Sequence, residues 1–282
     1  MDPMKDDAVA PVIAVLLILA VIATFVAVWN ATALPSLKEQ SEMEHLHSVE
    51  TSFTRFSSDI ESAVSLRQNG LTLSEPVQLG GGDVIFNNVR SGGSLRITNE
   101  EYPLYTITLG STVVNGTLVT ISYEPSGNFW QDQGYRWQNG YINVTKHSSG
   151  RTPLQTPLFY ATMGDVGNGI PLFGAAGKEQ SSGNCSIWVV NLSASRSHST
   201  VSGNGIGTLT LSSDVSSQVI YSNVKIQVQS SSQSPFRNET LGKWNSSLNR
   251  CFGTIITSET DGITISSANV SLTFVNISVG AY

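Results

Sequence analysis

Four histidines, two cysteines and nine Asn-x-Ser/Thr triplets are the residues of this chain with the most chemical potential. His45 and His47 stand at i, i+2 in a helical pattern, which points them apart and makes them poor joint ligands. His147 and His198 stand alone, and no HExxH motif, GxSxG elbow or P-loop occurs. Gly80-Gly81-Gly82-Asp83 reads as a turn ahead of a strand rather than a phosphate cradle. The run Asp165–Gly169 lacks the spaced carboxylates of a calcium loop. The chain therefore reads as a non-enzyme with no cofactor and no bound metal.

The cysteines, Cys185 and Cys251, sit far apart in a Ser/Thr/Asn/Gly-rich region. Outside a cell they would form a disulfide closing a loop of about 65 residues, for which chain entropy gives at most roughly 4 kcal/mol. Two unpaired buried thiols are the other reading. The triplets fall at Asn30, Asn115, Asn143, Asn184, Asn191, Asn238, Asn245, Asn269 and Asn276, about twice the chance expectation for this composition. All but Asn30, at the edge of an apolar run, are N-glycosylation candidates. In a strand, Asn and the hydroxyl at i+2 share a face, so Asn143 and Asn269 are expected to face solvent.

The elements that position these residues follow from composition and period. Only 13% of residues are charged, against about 25% in ordinary globular domains. The formal net charge of −6 argues against nucleic acid as a partner, since no basic patch exists to neutralise phosphates. From Ala8 to Leu37 there is no charge at all. Within that run, Val9–Trp29 is apolar on every face, and at 1.5 Å rise its length matches a hydrocarbon core of about 30 Å. Trp29 suits the interfacial belt. The apolar run is longer than that of a cleaved secretory signal, and no small-x-small site closes it.

Pro35 predicts a kink or short unwound stretch just past the membrane exit. Beyond it Leu46, Val49, Phe53, Phe56, Ile60 and Ala63 follow a 3-4 spacing, one stripe of an amphipathic helix over 36–68. The stripe is expected both to pack on the chain's own β domain and to line a bundle of neighbouring helices. Asn69-Gly70 supplies the stop signal.

After Gly70 the period becomes two. Asn115-Gly116 and Asn139-Gly140 predict type I′ hairpins, the first joining Thr112–Val114 to Thr117–Tyr123, the second Tyr135–Gln138 to Tyr141–Thr145. Further strands are expected at Val84–Asn88, Ser94–Thr98, Leu104–Leu109, Ile187–Leu192, Gly207–Ser212, Val219–Val228 and Thr254–Thr257. A short helix is expected at Asn238–Asn249, and Arg151–Lys178 reads as loop-rich. A one-residue bulge near Phe274–Val275 would put Val270, Leu272, Phe274, Val275, Ile277 and Val279 on one buried face. The fold class is thus α+β: a long N-terminal transmembrane and amphipathic helix, then a mainly antiparallel, β-sandwich-like domain over 70–282.

The short polar leader ending in Ala8, followed by VAPVIAVLL at Val9–Leu17, resembles the N-terminus of archaeal type IV pilins and pilin-like proteins. The blocks at Val49–Val64, Leu79–Val89 and Tyr135–Ile142 follow that family's layout in order. Ile13 stands at the fifth mature position, where bacterial pilins carry Glu, and Asp7 stands where the family usually has a basic residue. The resemblance implies a leader, residues 1–8, cut between Ala8 and Val9 by a prepilin peptidase on the cytoplasmic side. Pro11 would then lie in the first helical turn, where its missing N–H matters little.

The resemblance further implies a subunit that sits in the membrane before assembly, meets a pilus assembly platform and polymerises with copies of itself. The surface filament so formed would serve adhesion. Its helix-bundle contacts would be Val12, Leu16, Ile22, Leu46, Val49, Phe53, Phe56 and Ile60. The alternative is a monomeric membrane-anchored surface protein, or a minor pilin of a secretion-like machine.

Overall fold

The structure, a computed structural model, describes residues 9–81, 91–103, 105–127, 133–138, 141–146, 154–155, 173–177, 184–216, 219–228, 256–259 and 262–282. Helix α1 spans Val9–Leu66, 58 residues without a glycine, and at 1.5 Å per residue it is about 87 Å long. It runs unbroken through Pro35, so the unwound stretch suggested by that residue is absent. A single proline removes one N–H donor from the ladder, and the long helical runs on both sides keep the turn wound.

The helix ends at Leu66, three residues before the position that Asn69-Gly70 suggested. Arg67 takes a left-handed φ of 48°, and its N–H still bonds to the Ala63 carbonyl at 3.0 Å. Its guanidinium lies 4.5 Å from the centre of the Trp188 ring, a cation–π contact. Ser213 completes the cap: its Oγ donates to the Gln68 carbonyl at 2.6 Å, and its carbonyl accepts the Gly70 N–H at 2.8 Å. Gly70, at φ 75°, then turns the chain back along the helix.

Fifteen strands follow among the described residues. They are β1 (Thr72–Gln78), β2 (Gly92–Asn99), β3 (Tyr105–Leu109), β4 (Thr112–Gly116), β5 (Val119–Ser126), β6 (Gln133–Gln138), β7 (Tyr141–Lys146) and β8 (Leu154–Gln155). Then come β9 (Phe173–Gly177), β10 (Asn184–Ala194), β11 (Thr200–Gly203), β12 (Ile206–Val215), β13 (Val219–Val228), β14 (Ile256–Glu259) and β15 (Gly262–Ala281). One sheet follows the order β1-β12-β15-β13-β3-β4, with β10 and β14 also on β15 and β9 on β10. The second follows β11-β2-β5-β6-β7-β8. The molecule is α+β, with antiparallel pairing everywhere described except between β10 and β15, which run parallel from Asn184 to Ala194.

The Asn139-Gly140 hairpin has the expected strands, with Gln138 opposite Tyr141. The Asn115-Gly116 turn does not exist. Leu109 pairs with Thr112, so the turn is Gly110-Ser111, with Gly110 at φ 62°, and Asn115-Gly116 lies inside β4. Gly116 is there for packing: opposite Tyr105, a Cβ at this position would sit 1.8 Å from the ring. The tyrosine lies flat over the glycine and donates its hydroxyl proton to the Val190 carbonyl.

The change of parity in β15 has a cause other than a bulge. Its pairing with β10 keeps one register throughout, while on its other edge β13 gives way to β12. Ser216 fills the junction, its N–H bonded to the Phe274 carbonyl at 3.0 Å. Val270, Leu272, Val275, Ile277 and Val279 are fully buried and Phe274 only partly. The expected strand over Val84–Asn88 and helix over Asn238–Asn249 lie outside the described residues, as does most of Arg151–Lys178 apart from β8 and β9.

The lower half of α1 touches β1 and β12 of the first sheet and β6 and β7 of the second. Leu46, Val49, Phe53, Phe56, Ile60 and Ala63 are all buried there, in one core with both sheets. Phe56 meets Trp137 edge-on at 6.2 Å, and the indole N–H donates to Ser57 Oγ at 2.7 Å. Burial of each large side chain in this stripe stabilises by roughly 1.5–3 kcal/mol. Phe53→Ala is expected to lower unfolding stability by about 3–5 kcal/mol, read by denaturant titration of the full chain in detergent. Val12→Ala, in the uncovered half, should leave it unchanged.

Candidate functional site: an uncovered apolar helix and its polar collar

The upper half of α1 packs against nothing in the chain. Val12, Leu16 and Ile22 are 57%, 61% and 56% exposed, and the whole stretch 11–30 is open. α1 is long and apolar enough to cross a membrane. Its two threonine hydroxyls are satisfied within the helix, as a nonpolar surrounding requires. Thr24 Oγ1 donates to the Ala20 carbonyl at 2.8 Å, and Thr32 Oγ1 to Val28 at 2.8 Å. Phe25 and Trp29 stack at 6.5 Å where the apolar surface ends.

The eight expected bundle contacts therefore divide. Val12, Leu16 and Ile22 are available to a neighbour. Leu46, Val49, Phe53, Phe56 and Ile60 are not, because the chain's own sheets cover them completely or nearly so. For those five the expectation of a shared bundle surface is corrected: an apolar side chain already out of water has no further surface to bury.

Between the two halves sits a collar of polar groups. β1 runs back along α1 and meets it at three points. Arg55 pairs with Glu75 at 3.6 Å, Ser52 Oγ donates to the Pro76 carbonyl at 2.8 Å, and His45 Nε2 lies 2.8 Å from the Gln78 carbonyl. With Nε2 as donor, His45 Nδ1 carries a lone pair that is buried and has no partner. Tyr123 sits edge-on to the imidazole at 5.8 Å and donates its hydroxyl to the Leu79 carbonyl at 2.9 Å.

Gly80 and Gly81 close the collar. A Cβ on Gly81 would come 2.7 Å from His45 Cβ, and one on Gly80 would come 2.2 Å from the Ser91 carbonyl oxygen. Gly81 lets backbone press against the helix, and Gly80 lets it press against Ser91 and Asn204; Gly82 and Asp83 lie outside the described residues. His45 and His47 do diverge. His45 is 4% exposed, while His47 stays in solvent 3.7 Å from Glu50. The sequence signal for the collar was the spacing of His45, one turn before Val49 on the buried stripe.

Burial holds the His45 imidazole below its ordinary range, against the upward pull of the Gln78 carbonyl and the Glu42 charge. Burial raises Asp59, and raises Glu75 in spite of Arg55. Above about pH 6.5 both folded and unfolded chains hold a neutral His45. As pH falls below 6.5 the unfolded chain takes up the proton first, so stability declines until the folded imidazole titrates. Asp59 and Glu75 act in the opposite sense, favouring the folded state as the carboxylates protonate. His45→Gln keeps a donor for Gln78 and should abolish the loss of stability just below pH 6.5, measured by melting temperature against pH.

The glycosylation candidates divide too. Asn115 is exposed on β4, its Oδ1 accepting from Thr106 Oγ1 at 3.1 Å. Asn143 is 5% exposed and does not face solvent, which corrects that expectation. Asn191 is tied into the structure: its Oδ1 accepts from Thr117 N at 2.7 Å and Thr117 Oγ1 at 2.6 Å. Its Nδ2, the atom a glycan would occupy, is 3.4 Å from Asn276 Oδ1. Asn184 and Asn269 are register partners on β10 and β15. Asn238, Asn245 and Cys251 lie outside the described residues, so only Cys185, on β10 beside Val270, has a place. No protein-family model, curated protein or solved structure matches the chain.

Proposed function

We propose that the chain is a structural subunit of an archaeal type IV pilus-like filament, with no enzymatic activity. One observation carries this reading. A membrane-length apolar helix half projects uncovered, while the other half is rooted in the chain's own core. Lipid can cover the projecting half before assembly, and the same halves of other copies can cover it afterwards. In the filament the helices of residues 9–29 would form the core and the β domains, sandwich-like and glycosylated at Asn115 among others, would coat it. Surface attachment is the role such a coat serves.

The second reading, a monomeric single-pass surface protein, rests on the Phe25–Trp29 pair, which suits a permanent interfacial position. N-terminal sequencing of native protein in purified surface filaments tests the first. A mature start at Val9 in filament material is expected; a chain found only in membranes with Met1 retained would overturn it. Leu16→Glu should abolish incorporation into filaments, since a buried carboxylate in an apolar bundle has no partner, while far-UV circular dichroism of the β domain stays unchanged.

A further inference from the structure

The outer face of the second sheet carries a polar recess of about 410 Å³, lined by Arg96, Thr98, Thr120, Ser122, Glu124, Arg136 and Thr145. Its centre is a straight cross-strand row. Arg96 on β2 pairs with Ser122 on β5, which pairs with Arg136 on β6. Two guanidinium stems thus flank one small hydroxyl, two strand spacings or about 10 Å apart.

We propose that this recess binds an acidic saccharide, a sugar chain bearing carboxylate groups. Both arginines are exposed, and among the described residues neither is ion-paired, whereas Arg55 pairs with Glu75 and Arg67 stacks on Trp188. Two arginines against one glutamate give the lining a positive balance on a chain whose net charge is −6. Guanidinium groups hold carboxylates by paired N–H···O bonds. Glu100 accepts from Gln138 Nε2 and Thr120 Oγ1 and is not among the lining residues.

The rest of the lining selects the ligand class. The hydroxyls of Thr98 and Thr145 can donate and accept, and those of Thr120 and Ser122, whose protons go to Glu100 and to the Arg96 carbonyl, can accept, as sugar hydroxyls require of their partners. The strand amides are occupied by the sheet, so no cluster of backbone N–H groups encloses a small phosphate. A wide ligand with hydroxyls between acid groups fits a row with positive ends and a hydroxyl centre. The floor is stiff, because the next row inward, Ile97, Ile121, Trp137 and Ile142, is fully buried. The site does not depend on filament assembly, so its test stands or falls separately from that reading.

Calorimetric titration of the full chain in detergent micelles with a galacturonic acid trisaccharide tests the proposal. Saturable binding is expected, with none for the neutral galactose trisaccharide. Arg96→Gln and Arg136→Gln should each weaken binding by about tenfold or more, with Arg→Lys at either position retaining part of it. Thermal unfolding identifies any variant that fails to fold, and the other arginine then carries the test. Absence of saturable binding, equal binding by the double Arg→Gln variant, or equally tight binding of inorganic phosphate would overturn the proposal.

Discussion

Leu46, Val49, Phe53, Phe56, Ile60 and Ala63 leave water together by packing on strands of both sheets, and that burial decides which half of α1 stays uncovered. A 58-residue helix alone would be a flexible, sticky rod. Rooted by its lower stripe, it becomes a fixed apolar projection on a polar domain. The stripe also joins the two sheets into one core: Phe56 reaches Trp137 of the second sheet, and Ser52 and Arg55 reach β1 of the first. Loss of this packing would separate anchor from domain and sheet from sheet.

The collar explains why the boundary falls where it does. From 11 to 32 every residue of the helix is exposed; from His45 downward it has partners in β1 and the sheets. Gly81 brings backbone so close to His45 that a larger residue would push the helix away. His45 is tolerated there because one ring nitrogen finds the Gln78 carbonyl. The other is left without a partner, so the boundary is sensitive to acid in a way the apolar stripe is not.

What could be read from the sequence was whatever repeats locally. The stripe shows itself through its helical spacing, and the hairpin around residues 139–140 through alternation on both sides. The Asn115-Gly116 pair misled because the glycine answers a ring eleven residues earlier rather than a turn. β1 was invisible: Glu75 faces inward to reach Arg55, and Pro76 breaks the strand pattern at a sheet edge, where its missing donor is harmless. The parallel pairing of β10 with β15 and the exchange of β13 for β12 join segments far apart in the chain, with no local trace. The row Arg96–Ser122–Arg136 is of the same kind, since three strands must be in register before it exists.

The central claim is that the uncovered half of α1 meets copies of itself while the buried stripe does not. In-cell photo-crosslinking from position 16, compared with position 53, tests it most directly. The account predicts a ladder of homo-oligomers from Leu16 and only intrachain products from Phe53. A monomer-only pattern from Leu16, or intersubunit products from Phe53, would contradict it.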